Sequence, residues 1–203
     1  VASDGAMELA DNGALIVGII DRNGGLINEQ GFDLEGTKDL FINHKDGNNL
    51  KVDGMMSFDE VNAKIWDVEA DIFIPAAASR LVTAEQLKRM VDAGLKTISS
   101  GANVPFADPE IFYGPIMSDA DNQVSLIPDF IANCGMARVF AFLMESEEDD
   151  ITDHAIFSDT SETIYKALEK VYKRDSSLTN VSRSAFEVAL EELTKTPQLE
   201  TSK

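Results

Sequence analysis

Along the first 144 residues, short apolar runs alternate with amphipathic stretches. That rhythm predicts a sheet threaded by helices. Residues 2–12 read as a helix with Ala2, Met7, Leu9 and Ala10 as its apolar members and Gly13 as a left-handed stop. Ala14–Asp21, ALIVGIID, is a run of branched residues that predicts a buried parallel strand. The stretch RNGGLINEQG that follows reads as turn-rich, with Asn23, Gly24, Gly25 and Gly31 as breakers. Residues 33–44 predict a helix and 45–54 a polar loop. Ser57 and Glu60 fit a capping box, opening a helix with Phe58, Val61 and Ile65 on one face. Residues 70–77, ADIFIPAA, predict a second strand stopped by Pro75. Thr83 and Gln86 form another capping box, and that helix closes at Gly94. LKTIS, 95–99, predicts a third strand. Asp108-Pro109-Glu110 predicts the start of a short helix. QVSLIP, 123–128, predicts a fourth strand, and 129–144 a single long apolar helix.

Strands that alternate with helices predict an α/β fold with a doubly wound, Rossmann-like parallel sheet. Right-handed crossovers collect the strand carboxyl ends on one edge, where such folds bind ligands. A helix entering a strand of this kind ordinarily follows another strand. The sequence is therefore expected to be a piece of a longer protein, with a first strand and its glycine turn outside it.

The pattern changes after Met144. Residues 145–153, ESEEDDITD, hold six acids and read as a solvated connector. Residues 154–203 carry two amphipathic helices, with Ile164, Leu168 and Val171 on one and Phe186, Leu190 and Leu193 on the other. Their stripes are expected to pack on the sheet domain or on a domain outside the sequence. The organisation read from the pattern is thus an incomplete dinucleotide-binding domain over 1–144, a connector, and carboxyl-terminal helices.

Charge narrows the function classes. Acids outnumber bases 36 to 17, a formal charge of −19. Such a surface repels phosphate backbones, so no nucleic-acid partner is expected, although a small anion can still bind at backbone donors. The longest apolar stretch, Ala14–Ile20, falls far short of the ~20 residues that span a bilayer, so no membrane is expected. A single cysteine, Cys134, rules out an internal disulfide framework. With only His44 and His154 beside it, no metal site is expected. A reducing cytoplasm is the expected compartment. Cys134 reads as packing, and both histidines lack a partner for proton transfer.

Asp21 ends its strand in an acid. An aspartate there can accept bonds from both ribose hydroxyls of an adenosine and repel a 2′-phosphate, favouring NAD over NADP. It can equally make a local turn with Asn23. Arg22 beside it offers a guanidinium to a phosphate and keeps NADP open. Three strand-end loops carry small residues and amides: Pro75-Ala76-Ala77-Ala78, Gly101-Ala102-Asn103-Val104-Pro105 and Pro128 to Asn133. Small residues let a flat ring approach the backbone, and an asparagine amide supplies the donor and acceptor that hold a carboxamide or ribose. The same asparagines can instead satisfy loop backbone groups while the alanines pack.

The blocks ADIFIPAAASRLVTAEQL, KTISSGANVPFADPE and LIPDFIANCGMARVFAFLM resemble, in that order, signatures of the glutamate/leucine/phenylalanine/valine dehydrogenases. They fall in that family's carboxyl-terminal nucleotide-binding domain, and IIDRNGGLINEQGFD resembles its stretch after the second strand. The resemblance covers roughly residues 1–144. It implies a protein that oxidatively deaminates an L-amino acid to a 2-oxo acid and ammonia with NAD or NADP. It also implies that Asp21 contacts the adenosine ribose, that Ala76 and Ala77 line the groove, and that Asn103 and Asn133 hold the nicotinamide end. The catalytic lysine and aspartate of such enzymes belong to an amino-terminal substrate domain, which also makes oligomer contacts. The chain alone is therefore expected to be inactive and its parent to be a homo-oligomer.

Departures stand out. Asn133-Cys134-Gly135-Met136 replaces Asn-Ala-Gly-Gly, and Ser99-Ser100 replaces a usual Ala-Glu. Phe140 falls where glutamate-specific members carry a serine, and it cannot hydrogen-bond a side-chain carboxylate. Two rival readings remain: a non-catalytic dinucleotide-binding module for regulation or scaffolding, and another nucleotide-fold enzyme such as a methyltransferase. The latter leaves the Gly-Ala-Asn and Pro-Asp-x-x-x-Asn blocks unexplained.

Overall fold

The computed structural model describes residues 2–43, 45–46, 49–147 and 151–195. His44 and residues 148–150 of the acidic run lie outside the described residues.

The chain opens with helix α1 (Ala2–Asp11), and Gly13 follows at a φ of +88°. Strand β1 (Ile16–Asp21) comes next, but it is neither parallel nor buried. It pairs antiparallel with β2 (Gly24–Phe32), in register from Asp21↔Gly24 to Gly18↔Ile27, and none of its residues is fully buried. The stretch read as turn-rich is therefore mostly strand. The turn proper is Arg22-Asn23 alone, where the Asp21 carboxylate accepts the Asn23 N–H at 2.7 Å.

Gly24 and Gly25 act here as close-approach residues rather than breakers. A Cβ on Gly24, at φ +146°, would lie 2.1 Å from the Met56 carbonyl oxygen, and one on Gly25 would lie 2.2 Å from that of Ile19. Their bare backbones let β5 (Met56–Ser57) complete a three-stranded sheet in the order β1-β2-β5. Helix α2 (Leu34–Asn43) follows β2. The region expected to be a polar loop contains a small ribbon, β3 (Lys45–Asp46) with β4 (Asn49–Leu50).

Ser57 caps α3 (Phe58–Asn62) through the full reciprocal box with Glu60. Bonding to the Ser57 hydroxyl and N–H holds the Glu60 carboxyl below its usual range. A 3-10 turn, Ile65–Asp67, then joins the two sheets: Ile65 packs against Gly18 of β1, and Trp66 stands edge-on to Phe73, ring centroids 6.0 Å apart.

The second sheet is parallel, β6 (Ile72–Phe73), β7 (Thr97–Ser99) and β8 (Ser125–Ile127), with Phe73↔Ile98 and Ile98↔Leu126 in register. Helix α4 (Ala84–Asp92) makes the first crossover, boxed by Thr83 and Gln86. Gly94, at φ +102°, turns the chain back into the sheet. Helix α5 (Pro115–Gln123) makes the second crossover. Asp108-Pro109-Glu110 does not open a helix. Instead the Asp108 carboxylate reaches forward and accepts the N–H groups of Ile116 and Met117 at 2.8 and 3.0 Å, capping α5. Gly114 permits this, because a Cβ there would lie 2.4 Å from Asp108 Cγ. Trp66, Val82, Leu87, Met90, Ile98, Phe106 and Leu126 form the core around this sheet.

The helix expected over 129–144 is broken. Helix α6 (Asp129–Ala132) stops at Asn133, and α7 (Gly135–Glu145) starts beyond Cys134. Asparagine and glycine are both weak helix formers, and Asn133 leaves helical geometry at φ −115° and ψ 18°. Helix α8 (Asp153–Arg174) and helix α9 (Val181–Lys195) then pack against the parallel sheet. Val171 and Ala185 are buried with Ile131, and Ile127 lies against them.

Asp121 locks α9 in place. Fully buried, it accepts the Ser182 N–H at 2.8 Å, the Arg183 N–H at 3.0 Å and the Tyr113 hydroxyl at 2.7 Å. Its carboxylate thus sits at the positive end of α9. The Ser182 hydroxyl donates to the Leu126 carbonyl, tying the same turn to β8.

Candidate functional site

The carboxyl ends of β6, β7 and β8 lie on one edge, as parallel pairing requires. Each strand then runs into one of the three small-residue loops. Direct bonds fix those loops to one another. The Ala102 N–H donates to the Pro75 carbonyl at 2.7 Å, joining the first loop to the second. The Ser100 N–H donates to the Ile127 carbonyl at 3.1 Å, joining the second to β8. The Val104 N–H donates to the Asp129 carboxylate at 2.7 Å, while the other carboxylate oxygen accepts the Phe130 N–H.

Small residues line this edge. A Cβ on Gly101 would lie 3.1 Å from that of Ala76 and 3.4 Å from Ile74 Cγ2, so the bare glycine lets the first two loops pack closely. Ala76 is half-buried and Ala77 exposed. At the far end, Asn133 Nδ2 donates to Asn103 Oδ1 at 2.8 Å. The two amides expected to share a ligand therefore touch. Among the described residues, Asn133 Oδ1 and Asn103 Nδ2 have no partner, so the pair presents one acceptor and one donor outward. The break at Asn133 is what makes this contact: the helix ends where its amide turns to the neighbouring loop.

Asp21 and Arg22 sit elsewhere, at the tip of the β1–β2 hairpin. Both Asp21 oxygens accept backbone N–H groups, one from Asn23 and one from Leu50 at 2.9 Å. Asp21 thus makes the local turn with Asn23 and also ties the hairpin to Leu50 of β4. Cys134 is half-buried, and burial pushes its thiol above the ordinary cysteine value, which leaves it a poor nucleophile. His154 lies exposed in the first turn of α8. Among the described residues no group of three or more His, Cys, Asp or Glu side chains suits a metal ion.

Sequence reading gave no role to Asp129 or Arg80. Asp129 spaces the second and third loops. The Arg80 N–H donates to the Val104 carbonyl, and its guanidinium donates to the Asp108 carbonyl at 2.7 Å. The available signal was an acid directly after the proline that ends β8; Arg80, at φ +60°, left no signal in the pattern.

Helix α7 is apolar yet has no fully buried residue. Met136 and Phe140 are 65% and 61% exposed, and Met144 is 88% exposed. The Arg138 guanidinium clasps Asp159 of α8 at 2.5 and 2.9 Å, which holds the Asp159 carboxyl below its usual range.

A parallel α/β sheet whose strand tips gather small-residue loops and a bonded pair of amides has the layout of a nucleotide-fold domain. The comparisons give it a family. The model for glutamate/leucine/phenylalanine/valine dehydrogenases matches residues 1–199. An NADP-specific glutamate dehydrogenase of Psychrobacter sp. (strain TAD1) is 27% identical over 168 residues, 81% of this chain and 35% of the relative. The catabolic NAD-specific glutamate dehydrogenase RocG of Bacillus subtilis (strain 168) is 28% identical over 192 residues, 86% of this chain and 41% of the relative. A solved glutamate dehydrogenase superposes with a TM-score of 0.70 at 17% identity, over 98% of this chain and 46% of that one. The Plasmodium falciparum glutamate dehydrogenase does so at 0.63 and 18%, over 98% and 44%. The chain belongs to the glutamate/leucine/phenylalanine/valine dehydrogenase family. It spans less than half the length of these relatives.

Proposed function

We propose that this chain is the coenzyme-binding half of an NAD(P)-dependent L-amino-acid dehydrogenase. The overall reaction is oxidative deamination: a hydride leaves the substrate Cα for the oxidised coenzyme, and water replaces the nitrogen, giving a 2-oxo acid and ammonia. The observation that carries this reading is the Asn133–Asn103 amide pair at the strand tips. Its free acceptor and donor complement a carboxamide, and the small Ala76, Ala77 and Gly101 beside it keep large side chains off the backbone that a flat ring would approach. Within this chain, Asn103 and Asn133 orient the coenzyme's reactive end, Ala76 and Ala77 line the groove, and Asp129 holds the spacing. Asp21 accepts from the adenosine ribose through the lone pairs its backbone bonds leave free, which favours NAD, with Arg22 beside it as the group that accommodates NADP.

No residue of this chain is assigned to bond making. The acid–base groups and the rest of the substrate pocket belong to a second domain of a longer, homo-oligomeric protein, so the chain alone binds coenzyme without turnover. Phe140, exposed on α7, argues for a substrate other than glutamate. The same exposed Phe140 and Met136 favour the second reading, a dinucleotide-binding module without catalysis.

Calorimetry tests the first claim: the chain should bind NAD or NADP, and Asn133→Ala should weaken binding about tenfold, the worth of ~1–2 kcal/mol of hydrogen bonding. Binding unchanged by Asn133→Ala would remove the amide pair from the site. Screening L-amino acids with the longer protein tests the second. No NAD- or NADP-dependent absorbance change on any of them, with the fold intact, leaves the non-catalytic reading.

A further inference from the structure

Between the 104–114 segment, Ser100, Asp129 and Phe186 the structure holds a cavity of about 20 Å³. Ser100, Asp108, Asp129 and the exposed Glu110 line it, with Phe106, Tyr113 and Phe186 among its aromatic walls. Ser100 is 1% exposed, and its hydroxyl has no hydrogen-bond partner. An orphaned buried hydroxyl costs ~1–3 kcal/mol unless something meets it.

The carboxylates have the opposite need. Asp108 and Asp129 each accept one backbone N–H per oxygen, which leaves further lone pairs, and no lysine, arginine or histidine lines the cavity to meet them. The wall therefore asks for a small molecule that donates twice and also accepts. The volume exceeds the ~10–15 Å³ that one water requires, and of the polar side chains on the wall, Ser100, Asp108 and Asp129 supply a number of partners usual for one ordered water.

We propose that this cavity is the site of one structural water, bridging the Ser100 hydroxyl to the carboxylates of Asp108 and Asp129. The water braces Asp129, and through it the Val104 N–H and the loop that carries Asn103. It is a positioning element, independent of whether the outer edge binds a coenzyme.

The test is a crystal structure of the whole chain, grown without ammonium salts, at a resolution that shows ordered solvent. It is paired with amide exchange on the wild type, Ser100→Ala and Ser100→Val. The wild type should show a single peak within hydrogen-bonding distance of Ser100 Oγ and at least one of the two carboxylates. Ser100→Val should expel it with a methyl group, and exchange at Val104 should quicken several-fold while exchange at Ile98 in the core stays unchanged. A wild-type Ser100 hydroxyl bonded directly to a protein acceptor, with no peak, overturns the proposal. So does a peak that appears only when ammonium is supplied, or one that survives in Ser100→Val. If Ser100→Val does not fold, Ser100→Ala decides: Val104 exchange should still quicken, and an unchanged rate counts against the water as a brace.

Discussion

Replacing Asp121 with alanine should unfasten α9 from the parallel sheet. The side chain is fully buried and accepts three bonds: from Ser182 N–H at 2.8 Å, Arg183 N–H at 3.0 Å and the Tyr113 hydroxyl at 2.7 Å. Alanine removes the acceptors and strands the donors, each at ~1–3 kcal/mol when kept from water. Ser182 is buried and pays in full, whereas Arg183 and Tyr113 recover part of the loss by reaching solvent. Loss of a negative charge at the α9 N-terminus adds ~0.3–1 kcal/mol. A total of about 3–4 kcal/mol follows, a large share of the ~5–15 kcal/mol that holds a domain together. Urea unfolding of Asp121→Ala against wild type reads this as a lower midpoint. Amide exchange should show α9 opening before α4. A loss under about 1 kcal/mol would refute the reasoning, since it would mean the donors find other partners at no cost. Tyr113→Phe isolates one bond and adds a pH signature. Burial, then the bond to Asp121, raises the Tyr113 hydroxyl above the ordinary value of 10.0. Its contribution is therefore complete below pH 10 and is lost as pH rises through the raised value, a decline that Tyr113→Phe should lack.

Gly25→Ala should cost ~2–3 kcal/mol or more, because its Cβ would meet the Ile19 carbonyl at 2.2 Å; a thermal midpoint within a degree or so of wild type would contradict the register. The Arg138–Asp159 clasp should strengthen α7–α8 docking fully above pH 3.8, the ordinary aspartate value, and lose that contribution as pH falls through the depressed folded value. Stability curves of wild type and Asp159→Asn should thus converge in acid, and parallel curves would argue against it. Asp21→Ser should weaken NAD binding more than NADP binding. Asp21→Asn keeps one of the two acceptors that Asn23 and Leu50 use and removes the charge, so its stability is measured alongside its binding, and equal losses for both coenzymes would exclude the ribose role.

What the sequence disclosed depended on how local each signal is. Both capping boxes, β7, β8 and the Gly94 stop were legible because a few adjacent residues determine them. The contact of Asn103 with Asn133 was readable only through the logic of parallel strands, which brings successive loops to one edge. The β1–β2 hairpin was misread because ALIVGIID has the composition of a buried parallel strand, while pairing direction is set by what lies beside it. Gly24 and Gly25 looked like punctuation, and only the closeness of β5 and β1 shows why side chains are excluded there. The α6–α7 break was hidden by unbroken apolar periodicity on both sides of Asn133 and Cys134. The cap from Asp108 to α5 spans eight residues, beyond the reach of any local motif.

Asn103 and Asn133 lie on the segments that follow the paired strands β7 and β8, so the ~4.8 Å ladder between those strands sets how far apart the two segments start. That gauge stays the same whatever residues decorate α7. Substitutions along the exposed α7 therefore leave untouched the separation from which the two loops start, because the pitch of the sheet sets it.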